Sequence, residues 1–272
     1  MPDRRHVVVR ADASPEIGLG HVMRSLALAD ELEAAGLSVT ICGTGVPPEL
    51  TTARRTVAPS HIDDAAPIVD LSPDLVVVDG YHITDEFFAV LDHLGIACAV
   101  IDDNGDTNAH RPIAVINHNP HADVAMYRHL RSRPRLLLGV EFALVRREFL
   151  DVAQDAPDRR TGSVLVAFGG SDPCRLTGPV ATRLASEGLE VRVAIGAAHP
   201  EQSSLTAQLA ERTGISVIEP HDYVRELAGA GAAVLGAGSS LLEAACLRTP
   251  TVAVVVADNQ RRLAAAARDH SM

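Results

Sequence analysis

HVVVRADASPEIGLGHVMRSLALADELEAAGLSVTIC, residues 6–42, decides the architecture. Its opening HVVVRA (6–11) is short, apolar and β-branched, which suits a strand buried on both faces. Gly18 and Gly20 then allow a tight turn. Residues 21–36 place Val22, Leu26, Ala29 and Leu32 at helical spacing and stop at Gly36. LSVTIC (37–42) is β-branched again, so strand, helix and strand form one βαβ unit with parallel strands.

Outward from this unit the alternation continues. DLVVVD (74–79), IACAVID (96–102) and IAVIN (113–117) read as strands, with a helix over 84–94 between the first two. DVAQDAPDRRT (151–161) is polar, holds a Pro and has no apolar period, so it reads as a linker. A second series follows it. The strands are SVLVAF (163–168), EVRVAI (190–195), ISVIE (215–219), AAVLGA (232–237) and TVAVVV (251–256). Helices are expected over 176–187, 201–212, 222–229 and 240–247, with a last one from Asn259. The expected fold is α/β, with two Rossmann-like, doubly wound domains at 1–150 and 162–272. Ligands of such sheets bind beyond the carboxyl ends of the strands, and two sheets can face each other across a cleft.

Composition narrows the partners. A formal charge of −11 disfavours a nucleic-acid backbone. No apolar stretch approaches the roughly 18 residues of a membrane helix, and the N-terminus reads as a strand and not a signal peptide. Cys42, Cys98, Cys174 and Cys246 are dispersed, which speaks against a disulfide framework or zinc site and fits a reducing cytoplasm.

Four motifs sit at strand ends. IGLGHVMRS (17–25) puts His21 at the mouth of a helix, where it either meets substrate or caps the helix. Met23 stands where a dinucleotide fingerprint would need its third Gly, so that site is disfavoured. AFGGSDP (167–173) offers successive N–H groups from Gly169, Gly170 and Ser171, a phosphate cradle or a plain tight turn, with Asp172 capping the next helix. In LGAGSSLLEAACL (235–247), Gly238, Ser239 and Ser240 open a helix whose positive end suits a diphosphate. Glu243 there is either a capping-box acid or a ribose acceptor. Asp258, Asn259 and Gln260 could read a sugar's polar groups or cap the final helix. Asp79-Gly80-Tyr81, Asp102-Asp103-Asn104 and Asn117-His118-Asn119 also follow strands. The Asp102-Asp103 pair lacks a third ligand at metal-binding spacing, so no metal site is expected.

The run R-A-D-x-S-x-x-I-G-x-G-H-x-x-R (10–24) resembles the opening of the UDP-sugar hydrolases of pseudaminic acid biosynthesis. The likeness continues through VVVDGY (76–81), IDDN (101–104), LLGVEFALVRREF (137–149), FGGSDP (168–173), GAGSSLLEAA (236–245) and ADNQ (257–260). Spore-coat polysaccharide glycosyltransferase-like proteins belong to the same superfamily. The resemblance implies a glycosyltransferase-B fold, a UDP-sugar as substrate, no cofactor and His21 as general base. It also implies that Gly18, Gly20, Arg24, Asp79, Tyr81 and Asp258–Gln260 lie on the sugar side. Gly169–Asp172 and Gly238–Ser240 would hold UDP, with Glu243 on the ribose. The expected reaction is hydrolysis of a UDP-activated amino or deoxy sugar, with water deprotonated by the His21 imidazole. Transfer to an acceptor hydroxyl needs the same base. Members of the family continue past the ADNQ helix, whereas this chain ends at Met272, so a shortened, inactive sugar-nucleotide-binding homologue is a third expectation.

Overall fold

The computed structural model describes residues 4–14, 17–154 and 161–269. The chain divides into two compact units, Met1–Leu144 and Val145–Met272.

In chain order the first unit holds β1 (His6–Ala11), α1 (Gly20–Ala34), β2 (Ser38–Cys42), β3 (Arg55–Val57), α2 (Ala66–Val69), β4 (Leu75–Asp79) and α3 (Asp85–Leu94). β5 (Cys98–Ile101), β6 (Ala114–Asn117) and β7 (Arg135–Leu138) complete it. The strands are all parallel, in the order β3-β2-β1-β4-β5-β6-β7. Strand order reverses between β1 and β4, where Ala11 pairs with Asp79, so the crevice of this sheet opens at those two carboxyl ends. Alternation along β1 fixes which residue faces which layer. Val7, Val9 and Ala11 pack with Val22, Leu26 and Ala29 of α1. Val8 packs in the opposite layer with Ile68, Phe87 and Leu91. α3 starts because the Thr84 hydroxyl accepts from Glu86 N and stops at Gly95, whose φ of 69° is left-handed. Each buried Phe of α3 contributes about 1.5–3 kcal/mol against its exposed state.

The second unit begins with α4 (Arg147–Gln154), β8 (Val164–Ala167), α5 (Thr177–Ser186), β9 (Val191–Val193), α6 (Gln202–Ala210) and β10 (Ile215–Val217). α7 (Tyr223–Gly229), β11 (Ala232–Gly236), α8 (Ser240–Cys246), β12 (Thr251–Val254) and α9 (Arg261–Asp269) follow. Its five strands are also parallel, ordered β10-β9-β8-β11-β12, with the reversal between β8 and β11.

The α/β class and the doubly wound sheets are those expected from the sequence. Three details differ. Edge strands β3 and β7 enlarge the first sheet to seven. Asp151–Gln154, read as linker, are the last turn of α4, which is anchored by a fully buried Phe149; residues 155–160 lie outside the described residues. The last helix starts at Arg261, because Asp258–Gln260 form a separate 3-10 turn. Among the described residues no helix is long and apolar enough to cross a membrane.

Candidate functional site

At the β1/β4 switch point the first unit assembles a buried polar cluster around Asp79. Its side chain is fully excluded from solvent. Its Oδ1 lies 2.6 Å from His21 Nδ1 and accepts from Arg24 Nη2 at 2.6 Å. Its Oδ2 accepts from Arg24 Nε at 2.6 Å and Ser25 Oγ at 3.2 Å. α1 makes this possible, since positions 21, 24 and 25 lie on one helical face. Burial alone would raise the Asp79 carboxyl, but Arg24 and His21 outweigh it and hold it well below the usual carboxylate range. With Nδ1–H donated to Asp79, His21 Nε2 carries the lone pair. Nε2 has no hydrogen-bond partner among the described residues. The Tyr81 ring meets the imidazole edge-on, with centroids 4.7 Å apart.

Asp103 is the second anchor. It accepts from Arg24 Nη1 at 2.7 Å, from Asn119 Nδ2 at 2.6 Å and from the Tyr81 hydroxyl. Burial opposes its charge, but Arg24 and His118 lower the carboxyl to about 2. His118 Nδ1 accepts from Leu144 N at 3.1 Å. Burial, reinforced by Arg24, brings the His118 imidazole down to about 4, so it is neutral at pH 7.

On the opposite face of β1 lies a clasp that the sequence reading passed over. Asp12 accepts from the buried Arg10 guanidinium, from Thr44 N at 2.6 Å and from Thr44 Oγ1 at 2.9 Å. His82 Nε2 sits 2.6 Å from the other Asp12 oxygen. This ties the loops after β1, β2 and β4 together. His82 carried no signal because its partner is 70 positions away in sequence.

In the second unit the two glycine-rich loops flank the β8/β11 reversal, as their strand-end positions required. Among the described residues, the N–H groups of Gly169, Gly170, Ser171, Gly238 and Ser239 donate to no backbone carbonyl. Gly169 has a φ of 77°, which turns the chain away from β8. Gln260 folds back toward Gly238, its Oε1 accepting from Val256 N at 3.0 Å.

Several predicted residues occupy structural roles. Arg24, read as a substrate contact, is buried with its guanidinium engaged by Asp79 and Asp103. Asp172 caps the start of α5 by accepting from Leu176 N at 2.9 Å and Thr177 N at 2.8 Å, and Asp102 holds its own loop through Asn104 N and Gly105 N. Asp258 and Asn259 are exposed. Glu243 is not half of a capping box with Ser240, since the N-cap is Ser239, one residue earlier, and it makes no side-chain cap. Instead it is nearly buried, with Arg146 Nη2 3.5 Å away, and burial raises its carboxyl despite that guanidinium. Gly18 (φ 76°) forms the turn that delivers Gly20 and α1. Among the described residues no group of three His, Cys, Asp or Glu is placed to hold a metal ion.

No family model matches this chain. It is 24% identical over 274 residues to the uncharacterized protein MJ1062 of Methanocaldococcus jannaschii, covering 94% of this chain but 56% of that protein. It is 22% identical over 263 residues to the UDP-2,4-diacetamido-2,4,6-trideoxy-beta-L-altropyranose hydrolase of Campylobacter jejuni, covering 95% of this chain and 94% of that enzyme. Among solved structures it resembles the Streptomyces glycosyltransferase SsfS6, complexed with thymidine diphosphate. That match has a TM-score of 0.63 and 16% identity, over 98% of this chain and 86% of the other. At that identity the likeness shows the fold, an α/β fold of glycosyltransferase-B type with two parallel sheets.

Proposed function

We propose that this protein hydrolyses a UDP-activated amino or deoxy sugar to UDP and the free sugar. The observation that carries the reading is the His21–Asp79 pair at the β1/β4 switch point: Nδ1 is held at 2.6 Å by a buried carboxylate, and Nε2 is left as acceptor. A water proton passes to Nε2 as the water oxygen bonds the anomeric carbon. The bond from that carbon to the diphosphate oxygen breaks, and its electron pair leaves with UDP. Asp79 and Asp103 with Arg24 leave this cluster with one net negative charge, which favours the imidazolium that forms.

In the second unit, the N–H groups of Gly169–Ser171 and Gly238–Ser239 suit the diphosphate, and Glu243 suits a ribose hydroxyl. Tyr81, next to His21, would contact the sugar. The near full-length match to the Campylobacter jejuni hydrolase supports water as the acceptor and an acetamido-deoxy sugar as the group released. The likeness to SsfS6 supports a second reading, transfer of the sugar to an alcohol by the same base.

The test is a panel of UDP-sugars incubated with and without acceptor alcohols, following UDP and free sugar. Hydrolysis predicts equal release of both without acceptor; transfer predicts UDP release only when an acceptor is added. His21→Asn should keep UDP binding and lose about 10²–10⁴-fold in turnover. A variant that turns over normally would remove His21 from the base role.

A further inference from the structure

We propose that His82 is a positioning residue of the sugar site: hydrogen-bonded to Asp12, it holds the turn after β4 so that Tyr81 stays against His21. The inference rests on the reading of Tyr81 as a sugar contact. Asp79 closes β4 in register with Ala11, and the turn at residues 80–82 follows it. Gly80, Tyr81 and His82 make no backbone–backbone hydrogen bond among the described residues, so side chains fix this turn. Tyr81 is 41% exposed, and packing alone does not hold its ring. Its hydroxyl donates to Asp103, and its ring meets the His21 imidazole edge-on at 4.7 Å.

His82 is the second tether. Its Nε2 lies 2.6 Å from Asp12 Oδ2, and a carboxylate only accepts, so Nε2 carries the proton. Asp12 is a rigid anchor: its Oδ1 accepts from the Arg10 guanidinium, from Thr44 N at 2.6 Å and from Thr44 Oγ1 at 2.9 Å. Oδ2 is left to His82, its one hydrogen-bond partner among the described residues. Burial opposes the Asp12 charge, but His82, Arg10 and Thr44 N outweigh it and hold the carboxyl well below the usual range. The tether is therefore a charge-assisted hydrogen bond. Gly80 makes room for it. A Cβ there would stand 2.9 Å from His82 Cε1 and 3.3 Å from Nδ1, so the imidazole folds over a position that has to be small. With adjacent residues tied on opposite faces of β1, Tyr81 is ordered before a ligand arrives, which lowers the cost of binding against it.

The test labels the full chain with 3-fluorotyrosine, because Tyr81, Tyr127 and Tyr223 are its three tyrosines. Tyr81→Phe assigns the Tyr81 line in the fluorine NMR spectrum. His82→Ala should move that line toward the position of free 3-fluorotyrosine and leave the Tyr127 and Tyr223 lines in place. His82→Gln, which keeps an N–H donor, should restore most of the parental position, and Gly80→Ala should move the line the same way by less. For whichever UDP-sugar of the panel the protein turns over, His82→Ala should raise KM about tenfold and keep kcat within about threefold, with parental affinity for UDP alone. An unmoved Tyr81 line, equal movement of all three lines, or no rescue by His82→Gln would overturn the proposal. A moved Tyr81 line with parental KM would overturn its link to the sugar. If no UDP-sugar is turned over, the functional reading fails, and the fluorine spectrum still decides whether His82 holds Tyr81.

Discussion

Replacing Asp79 by Asn tests the first-unit cluster most sharply, because size is kept while charge and acceptor capacity change. Asp79 accepts from His21, twice from Arg24 and from Ser25, with no solvent to substitute. An amide supplies one oxygen and one NH2. If the NH2 takes the Oδ2 side it faces Arg24 Nε; on the Oδ1 side it faces Arg24 Nη2 and His21 Nδ1. Either orientation sets donor against donor. Breaking a buried ion pair by removing one partner costs about 3–5 kcal/mol. Arg24 retains Asp103 at 2.7 Å, so the lower end, about 3 kcal/mol, is expected.

The proton linkage has a definite sign. The folded carboxyl lies below its ordinary value, so its stabilisation is full above about pH 4 and is lost as pH falls toward the folded value. Asp79→Asn should therefore flatten the acid limb of a urea-midpoint against pH curve. An amide facing His21 also lets Nδ1 accept and puts the proton on Nε2, which is the wrong tautomer for a base. Turnover should fall about 10²–10⁴-fold, and the double variant with His21→Asn should be no slower than the slower single variant. A stability loss under about 1 kcal/mol, together with turnover within a factor of about three of the parent, would refute the reasoning.

Three further outcomes follow from the same geometry. Glu243→Gln should weaken UDP binding by about 1–3 kcal/mol in calorimetry; unchanged affinity would leave Glu243 as no more than the partner of Arg146. His118 is buried neutral with its imidazole at about 4, so it stabilises fully above about pH 6.5 and loses about 3 kcal/mol as pH falls to 4. His118→Asn should remove that slope from a melting curve measured across this window. At Gly196 an added Cβ would stand 2.2 Å from Gly170 O and 2.4 Å from Gly169 O, so Gly196→Ala should lower Tm, cost about 1–3 kcal/mol and weaken UDP binding; a parental Tm would mean the loop moves freely.

What the sequence made legible follows from the range of each interaction. The βαβ repeats are local: β-branched runs such as Val7–Val9 and the spacing of Val22, Leu26 and Ala29 need no distant partner to be read. β3 and β7 escaped because they are three and four residues long at the sheet edges and have no fully buried side chain, which removes the buried apolar run that marks a strand. α4 escaped because its polar turns hide one anchoring residue, Phe149.

The site divides along the same line. His21, Asp79 and Asp103 could be read as strand-end residues, because strand ends are local features. Which of them meet could not, since His21 and Asp79 are 58 positions apart and their contact depends on β4 lying beside β1. Alternation then selects the partners. Asp79, in register with Ala11, faces α1 and receives His21 and Arg24, while Asp12, one residue past Ala11, points to the other layer and receives Arg10 and His82. The Asp79 and Asp12 carboxylates therefore serve different histidines because of strand order and the two-residue period of a strand. A one-residue slip of β4 against β1 would turn Asp79 to the other layer and dissolve its pair with His21, while Asp12 would keep its face.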